Sequence, residues 1–120
     1  MIELRFTVPP GVNNLFPTSR RTRRRFPSPA YKDWKALNWV STVGVGSFKG
    51  PFHIVATFER KDRRKTDLDG KIKAVLDLLT DRGVIEDDSL ADQILLRWAS
   101  PSKAPVYVKN PIVTIQIMEA

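Results

Sequence analysis

The sequence predicts an α+β fold, a mixed β-sheet with two helices packed on it in the order β-α-β-α-β-β. Two periodicities carry that reading: apolar residues alternate with polar ones in four segments, and recur at helical spacing in two others that separate strands. At 120 residues, the chain has the commonest size of one domain, so residues 1–120 are read as a single unit. A unit of that size buries roughly two-thirds of the surface its unfolded form exposes.

The first segment alternates Ile2, Leu4, Phe6 and Val8 with Glu3, Arg5 and Thr7, the pattern of a half-buried strand, and stops at Pro9-Pro10-Gly11. Residues 13–27 carry Arg20, Arg21, Arg23, Arg24 and Arg25 among turn formers with little periodic apolar content, and read as a long basic loop. Ser28-Pro29 then offers an N-cap followed by proline at the first helical position. Tyr31, Trp34, Leu37 and Val40 recur near helical spacing, which predicts a helix to about Val43, ended by Gly44, Gly46 and Gly50-Pro51. Phe52, Ile54, Ala56 and Phe58 alternate with His53, Val55 and Thr57 as a second strand. From Asp69 the period becomes helical again, with Ile72, Val75, Leu76 and Leu79 on one stripe and Gly83 placed as a C-cap. Ile94, Leu96 and Trp98 mark a third strand, and Ile112 to Met118, rich in β-branched residues, a fourth.

Composition excludes several function classes. There is no cysteine and one histidine, His53, so disulfides and the usual zinc sites are ruled out and any metal would need oxygen ligands. A net charge of +7 favours a polyanionic partner, nucleic acid first. A membrane surface would call for a basic amphipathic helix with a broad apolar face. No apolar stretch approaches the roughly 20 residues of a membrane span, and Met1 to Arg5 lacks the apolar core of a secretory signal, so a cytoplasmic protein is expected.

Against that basic background stand clustered carboxylates. Asp67 and Asp69 lie two residues apart where a strand hands over to a helix. Extended backbone would point both the same way, whereas on a helix they would diverge by about 200°, so Asp67 must precede the helix if they are to converge. Lys73 and Asp77 follow Asp69 at steps of four along one edge of the apolar stripe, and Glu86-Asp87-Asp88 comes after Gly83, where a return of the chain brings it back towards Asp67 and Asp69. Mg²⁺ and Mn²⁺ prefer such oxygen ligands. A nearby lysine can stabilise charge on a phosphoryl group. Purely structural roles are also open: Asp69 as an N-cap, Asp69, Lys73 and Asp77 as an ion-pair ladder, Glu86 to Asp88 as a solvated turn. A calcium loop fails, because with Gly70 as its invariant glycine the first ligand position falls on Lys65.

The run Asp62-Arg63-Arg64-Lys65-Thr66-Asp67-Leu68-Asp69-Gly70, continuing through Lys73, Asp77, Gly83 and Asp87-Asp88, resembles the signature of the RusA family of Holliday-junction resolvases. Pro9-Pro10-Gly11-Val12-Asn13 resembles that family's N-terminal motif. The resemblance implies a homodimeric endonuclease of phage or prophage origin, in a bacterial or phage-infected cell, that uses Mg²⁺ or Mn²⁺ to nick two opposed strands of a four-way DNA junction. By position, Asp67, Asp69 and Asp88 match the family's catalytic, metal-binding aspartates and Lys73 its catalytic lysine. Asp87 stands beside them as a weaker match. Gly70 departs from the asparagine usual after the second aspartate, and Gly11 from a serine. A junction presents two equivalent strands, and a two-fold dimer sets one site on each.

Lys61, Arg63, Arg64 and Lys65 immediately precede Asp67 and are placed to hold phosphates beside the scissile one, with Arg20 to Arg25 as a second cluster. Each run could equally be a solvated charged loop. Tyr31, Trp34 and Trp39 could stack on bases, but helical spacing assigns Trp34 to the core. The competing function class is a non-catalytic basic nucleic-acid-binding domain whose acidic cluster is structural.

Overall fold

The computed structural model describes residues 1–10, 28–63 and 68–120. Its four strands, β1 (Ile2–Thr7), β2 (Phe52–Phe58), β3 (Ala91–Trp98) and β4 (Ile112–Glu119), form one sheet in the order β1-β4-β2-β3. β4 pairs antiparallel with both β1 and β2, in registers that set Leu4 opposite Ile115 and Ile54 opposite Ile117. β2 and β3 are parallel. The two helices are α1 (Pro29–Asn38) and α2 (Asp69–Asp81), so the predicted α+β class and element order are those observed.

Period-two alternation divides the sheet into two faces. Leu4, Phe6, Phe52, Ile54, Ala56, Phe58, Val113, Ile115 and Ile117 point to one side and are buried together with Val75, Leu78 and Leu79 of α2 and Tyr31 and Trp34 of α1. The other face carries Glu3, Arg5, His53, Thr57, Thr114 and Gln116, none of them fully buried. β3 is an edge strand. It leaves Ile94 and Leu95 exposed at 45% and 51%.

Parallel neighbours cannot be joined by a hairpin, and the segment linking β2 to β3 contains α2 as its crossover. Gly83, at φ +71, turns the chain after α2, and its N–H donates to the Thr80 carbonyl at 3.1 Å. That is the stop the sequence predicts.

α1 differs from expectation in a telling way. Ser28 caps it, its Oγ accepting the Tyr31 N–H at 3.1 Å. The α-helix ends at Asn38 and tightens into a 3-10 turn over Trp39–Thr42 rather than running on to Val43. Leu37 and Val40 are 64% and 60% exposed, and the third buried position is Asn38. Residues 31, 34 and 38 share a stripe about 60° wide at 100° per residue. Asn38 is admitted to the interior because every polar atom of its side chain is used. Its Oδ1 accepts the Thr7 N–H at 2.9 Å, and its Nδ2 donates to Thr7 Oγ1 at 2.9 Å and to the Trp34 carbonyl at 2.8 Å. Trp34 Nε1 donates to the Thr7 carbonyl at 2.8 Å. Trp34 is thus a core residue, whereas Trp39 lies at the surface under the Arg82 guanidinium. No described helix is long and apolar enough to cross a membrane.

Replacing Asn38 by alanine orphans buried groups on both β1 and α1. Chemical denaturation should show a loss of about 2 kcal/mol, within the usual cost of unpaired buried polar groups.

Candidate functional site

α2 is two-faced. Val75, Leu78 and Leu79 anchor it on the sheet, and Asp69, Lys73 and Asp77 run in steps of four down the side turned from that anchor. Asp69 opens the helix and is exposed. The preceding Leu68 occupies the cap position with helical backbone and no side-chain cap bond, so Asp69 is not serving as the N-cap. The Lys73 ammonium lies 3.8 Å from Asp77 Oδ2. The same oxygen accepts the Tyr31 hydroxyl of α1 at 3.1 Å. Burial first, then the charge of Asp77 and this hydrogen bond, push the Tyr31 phenol far above its ordinary value. It therefore remains a donor and fixes Asp77. One turn along, Lys35 pairs with Asp81, so two rungs join α1 and α2 and advance in the same direction.

After Gly83, Val84 and Ile85 are buried and draw the chain back across the core. The Phe48 N–H donates to the Val84 carbonyl at 2.7 Å and the Gly50 N–H to Glu86 Oε1 at 2.7 Å, which secures the return. Asp87 accepts the Ser89 N–H at 3.1 Å and caps the short turn Asp88–Leu90. Asp87 and Asp88 share a hydrogen bond between their carboxyls, which holds Asp87 below the usual carboxylate range and pushes Asp88 above it. A slight loss of hydration and the charges of Asp87 and Asp77 raise Asp88 further, and Lys73 opposes them.

The return therefore brings Asp88 into the field of Lys73 and Asp77, one and two turns below Asp69, and Asp69 is not among the charges that move it. Asp67, Arg64, Lys65 and the predicted loop with Arg20, Arg21, Arg23, Arg24 and Arg25 lie outside the described residues. Lys61 and Arg63 are exposed just past the end of β2. Among the described residues no three acidic or histidine side chains converge closely enough to hold a metal ion. The donor chemistry nevertheless fits a hard divalent cation. Asp69, Asp77, Asp87 and Asp88 offer only oxygen, and the pKa of Asp88 is raised by the neighbouring Asp87 and Asp77, a negative potential that such a cation relieves.

Two features lay beyond reasoning from the sequence. Asp77 and Tyr31 had signals, as a ladder member and an aromatic at helical spacing, but Tyr31 is buried in the core rather than open to stack on a base, and their contact spans 46 positions. The second feature is a cleft of about 460 Å³ where the ends of β1, β2 and β3 meet the starts of α2 and β4, lined in part by Arg60, Lys61, Lys71, Trp98 and Lys109. Lys71 is half-buried, and burial lowers its pKa.

A family model described as Endodeoxyribonuclease RusA matches residues 9–118. No curated protein matches the chain by sequence.

Resolved carboxyl titrations by NMR should find Asp88 protonating above the ordinary aspartate range and Asp87 below it. In Asp87→Asn the neighbouring charge is gone and the Asp88 midpoint should fall. A saturating divalent cation should also lower it, because the cation favours the ionised form.

Proposed function

Since the chain belongs to the RusA endodeoxyribonuclease family, we propose that it is a divalent-metal-dependent resolvase that makes paired nicks in four-way DNA junctions, in the cytoplasm of a bacterial or phage-infected cell. The observation that carries the reading is the approach of Asp88, beside Asp87, to Lys73 and Asp77 on the side of α2 that Asp69 opens, in a protein of net charge +7. Uncompensated carboxylates repel a polyanion unless a cation mediates between them.

In this reading Asp69, Asp88 and Asp67 hold Mg²⁺ or Mn²⁺, and Asp87, against Asp88, offers a further carboxylate oxygen beside them. The bound ion supplies positive charge to the phosphoryl oxygens and lowers the cost of ionising water. Lys73, held 3.8 Å from Asp77, offsets charge that builds on the phosphate as the bond to the leaving oxygen breaks. The Tyr31 hydroxyl keeps Asp77 in place, and with it the ammonium. Lys61 and Arg63, with Arg64, Lys65 and the arginines at 20–25, hold flanking phosphates and set the register of the strand.

Paired cuts require two sites, and we assign the dimer to β3. Its outer edge carries no described strand, and Ile94 and Leu95 are exposed along it. A second copy pairing there about a two-fold axis would extend the sheet and satisfy the open edge.

Purified protein and Asp69→Asn should be compared on a labelled four-way junction and on linear duplex of the same sequence, with and without Mg²⁺. Paired nicks that need the metal, fall at least about 100-fold in Asp69→Asn and leave junction binding intact are expected. Binding with no cutting in Mg²⁺ or Mn²⁺ would instead identify a non-catalytic DNA-binding domain. In sedimentation, Leu95→Lys should shift a dimer towards monomer, and an unchanged mass would move the interface elsewhere.

A further inference from the structure

The chemistry on the carboxylate side of α2 leaves the cleft at the strand ends, apart from Lys61 among its lining residues, without a role. Lys71 lies on the helix stripe that continues below as Val75 and Leu78, a position where an apolar side chain would complete the packing. Instead it brings a half-buried cation that pairs with no carboxylate among the described residues. A charge drawn from water without a partner is costly, and an anionic ligand removes that cost. Lys71 is also in company. Arg60, Lys61 and Lys109 line the same cleft against two carboxylates, Glu59 and Asp62, and Glu59 already accepts the Ile112 N–H at 2.9 Å.

One wall is stiff and flat. The Arg60 guanidinium lies 4.4 Å from the centre of the Trp98 ring and donates from Nε and Nη2 to the Ser100 carbonyl at 3.2 and 3.1 Å. Trp98 in turn meets Phe58 edge-on. Arg60 is thus braced, while Lys61 and Lys109 extend from exposed positions and are free to follow a ligand. The volume of about 460 Å³ falls within the roughly 300–1,000 Å³ of pockets that hold organic ligands, and exceeds what one phosphate group fills.

We propose that this cleft binds one nucleotide of the DNA strand, its phosphate on Lys71 and Lys109 and its base or sugar along the Arg60–Trp98 wall. The proposal rests on the nuclease reading for its choice of polynucleotide. Asp69 and Lys71, two residues apart on a helix, point about 160° away from each other around its axis. The cleft and the carboxylates therefore stand on opposite sides of the first turn of α2, and a strand crossing that turn is gripped on one side while the scissile phosphate lies on the other. Lys71 and Lys109 are positioning residues that select which phosphate reaches the carboxylates.

The test is equilibrium binding of a labelled junction in chelator over a range of salt, for wild type, Lys71→Gln, Lys109→Gln, Asp69→Asn and Lys49→Gln, with circular dichroism to check folding. Lys49 precedes β2, at the opposite end of that strand from the cleft. Lys71→Gln and Lys109→Gln should each weaken binding about tenfold and reduce the salt slope by about one, while Lys49→Gln leaves both near wild type. With Mg²⁺ the two cleft variants should spread the cut over neighbouring phosphates. Affinity and slope in both cleft variants equal to those of Lys49→Gln would overturn the proposal. Lys109 is exposed, so its variant reports even if Lys71→Gln fails to fold. Cutting by wild type without any effect of the cleft variants would sink this site and keep the nuclease. Lys71-dependent binding by a wild type that never cuts would keep the site and sink the nuclease.

Discussion

The parallel pairing of β2 with β3 governs the rest of this molecule. Two adjacent strands running the same way oblige the chain to climb from the end of the first to the start of the second, and α2 lies on that climb. Its N-terminus is thereby set beside the carboxyl ends of β2 and β3, where Lys61, Arg63 and Trp98 also lie. The descent from its C-terminus must run back towards β3, and that descent carries Glu86, Asp87 and Asp88. An antiparallel β2–β3 hairpin would bury similar strand faces but give no reason for these groups to meet.

α2 can carry functional groups because half of it is fixed. Val75, Leu78 and Leu79 are fully buried against the sheet, so the exposed face has little freedom to drift. Rigidity is passed outward by hydrogen bonds as well. Trp34 and Asn38 tie α1 to Thr7 of β1, Tyr31 ties α1 to Asp77, and Asp77 holds Lys73. A buried phenol at one end of this series and an exposed ammonium at the other make a graded passage from core to solvent.

Electrostatics divides the same helix differently. Carboxylates gather on its outer side, where Asp87 and Asp77 both raise the Asp88 pKa, while cations gather around the strand ends. A chain of net charge +7 attracts nucleic acid at long range. The local acidic face opposes that attraction at contact distance, unless a cation stands between, as in the proposed function. In the proposed function the two signs are complementary, the first for capture and the second for chemistry.

The periodicities alone determined the four strands, α2 and the α+β class, because alternation and helical recurrence are local consequences of burying one face. The Asp69, Lys73, Asp77 line was equally legible, since positions four apart on a helix must share a side. Tertiary structure decided what no spacing encodes. It ended α1 early and buried Asn38 instead of Leu37, because Thr7 from another element satisfies that amide. It brought Asp88 into the field of Lys73 and Asp77 and joined it to Asp87 by a hydrogen bond. It also gathered Arg60, Lys71, Trp98 and Lys109 around one cleft. Sequence pattern fixes which face of an element turns inward. Which ends of different elements meet depends on the order and direction in which strands pair, and those are settled only when the whole sheet closes.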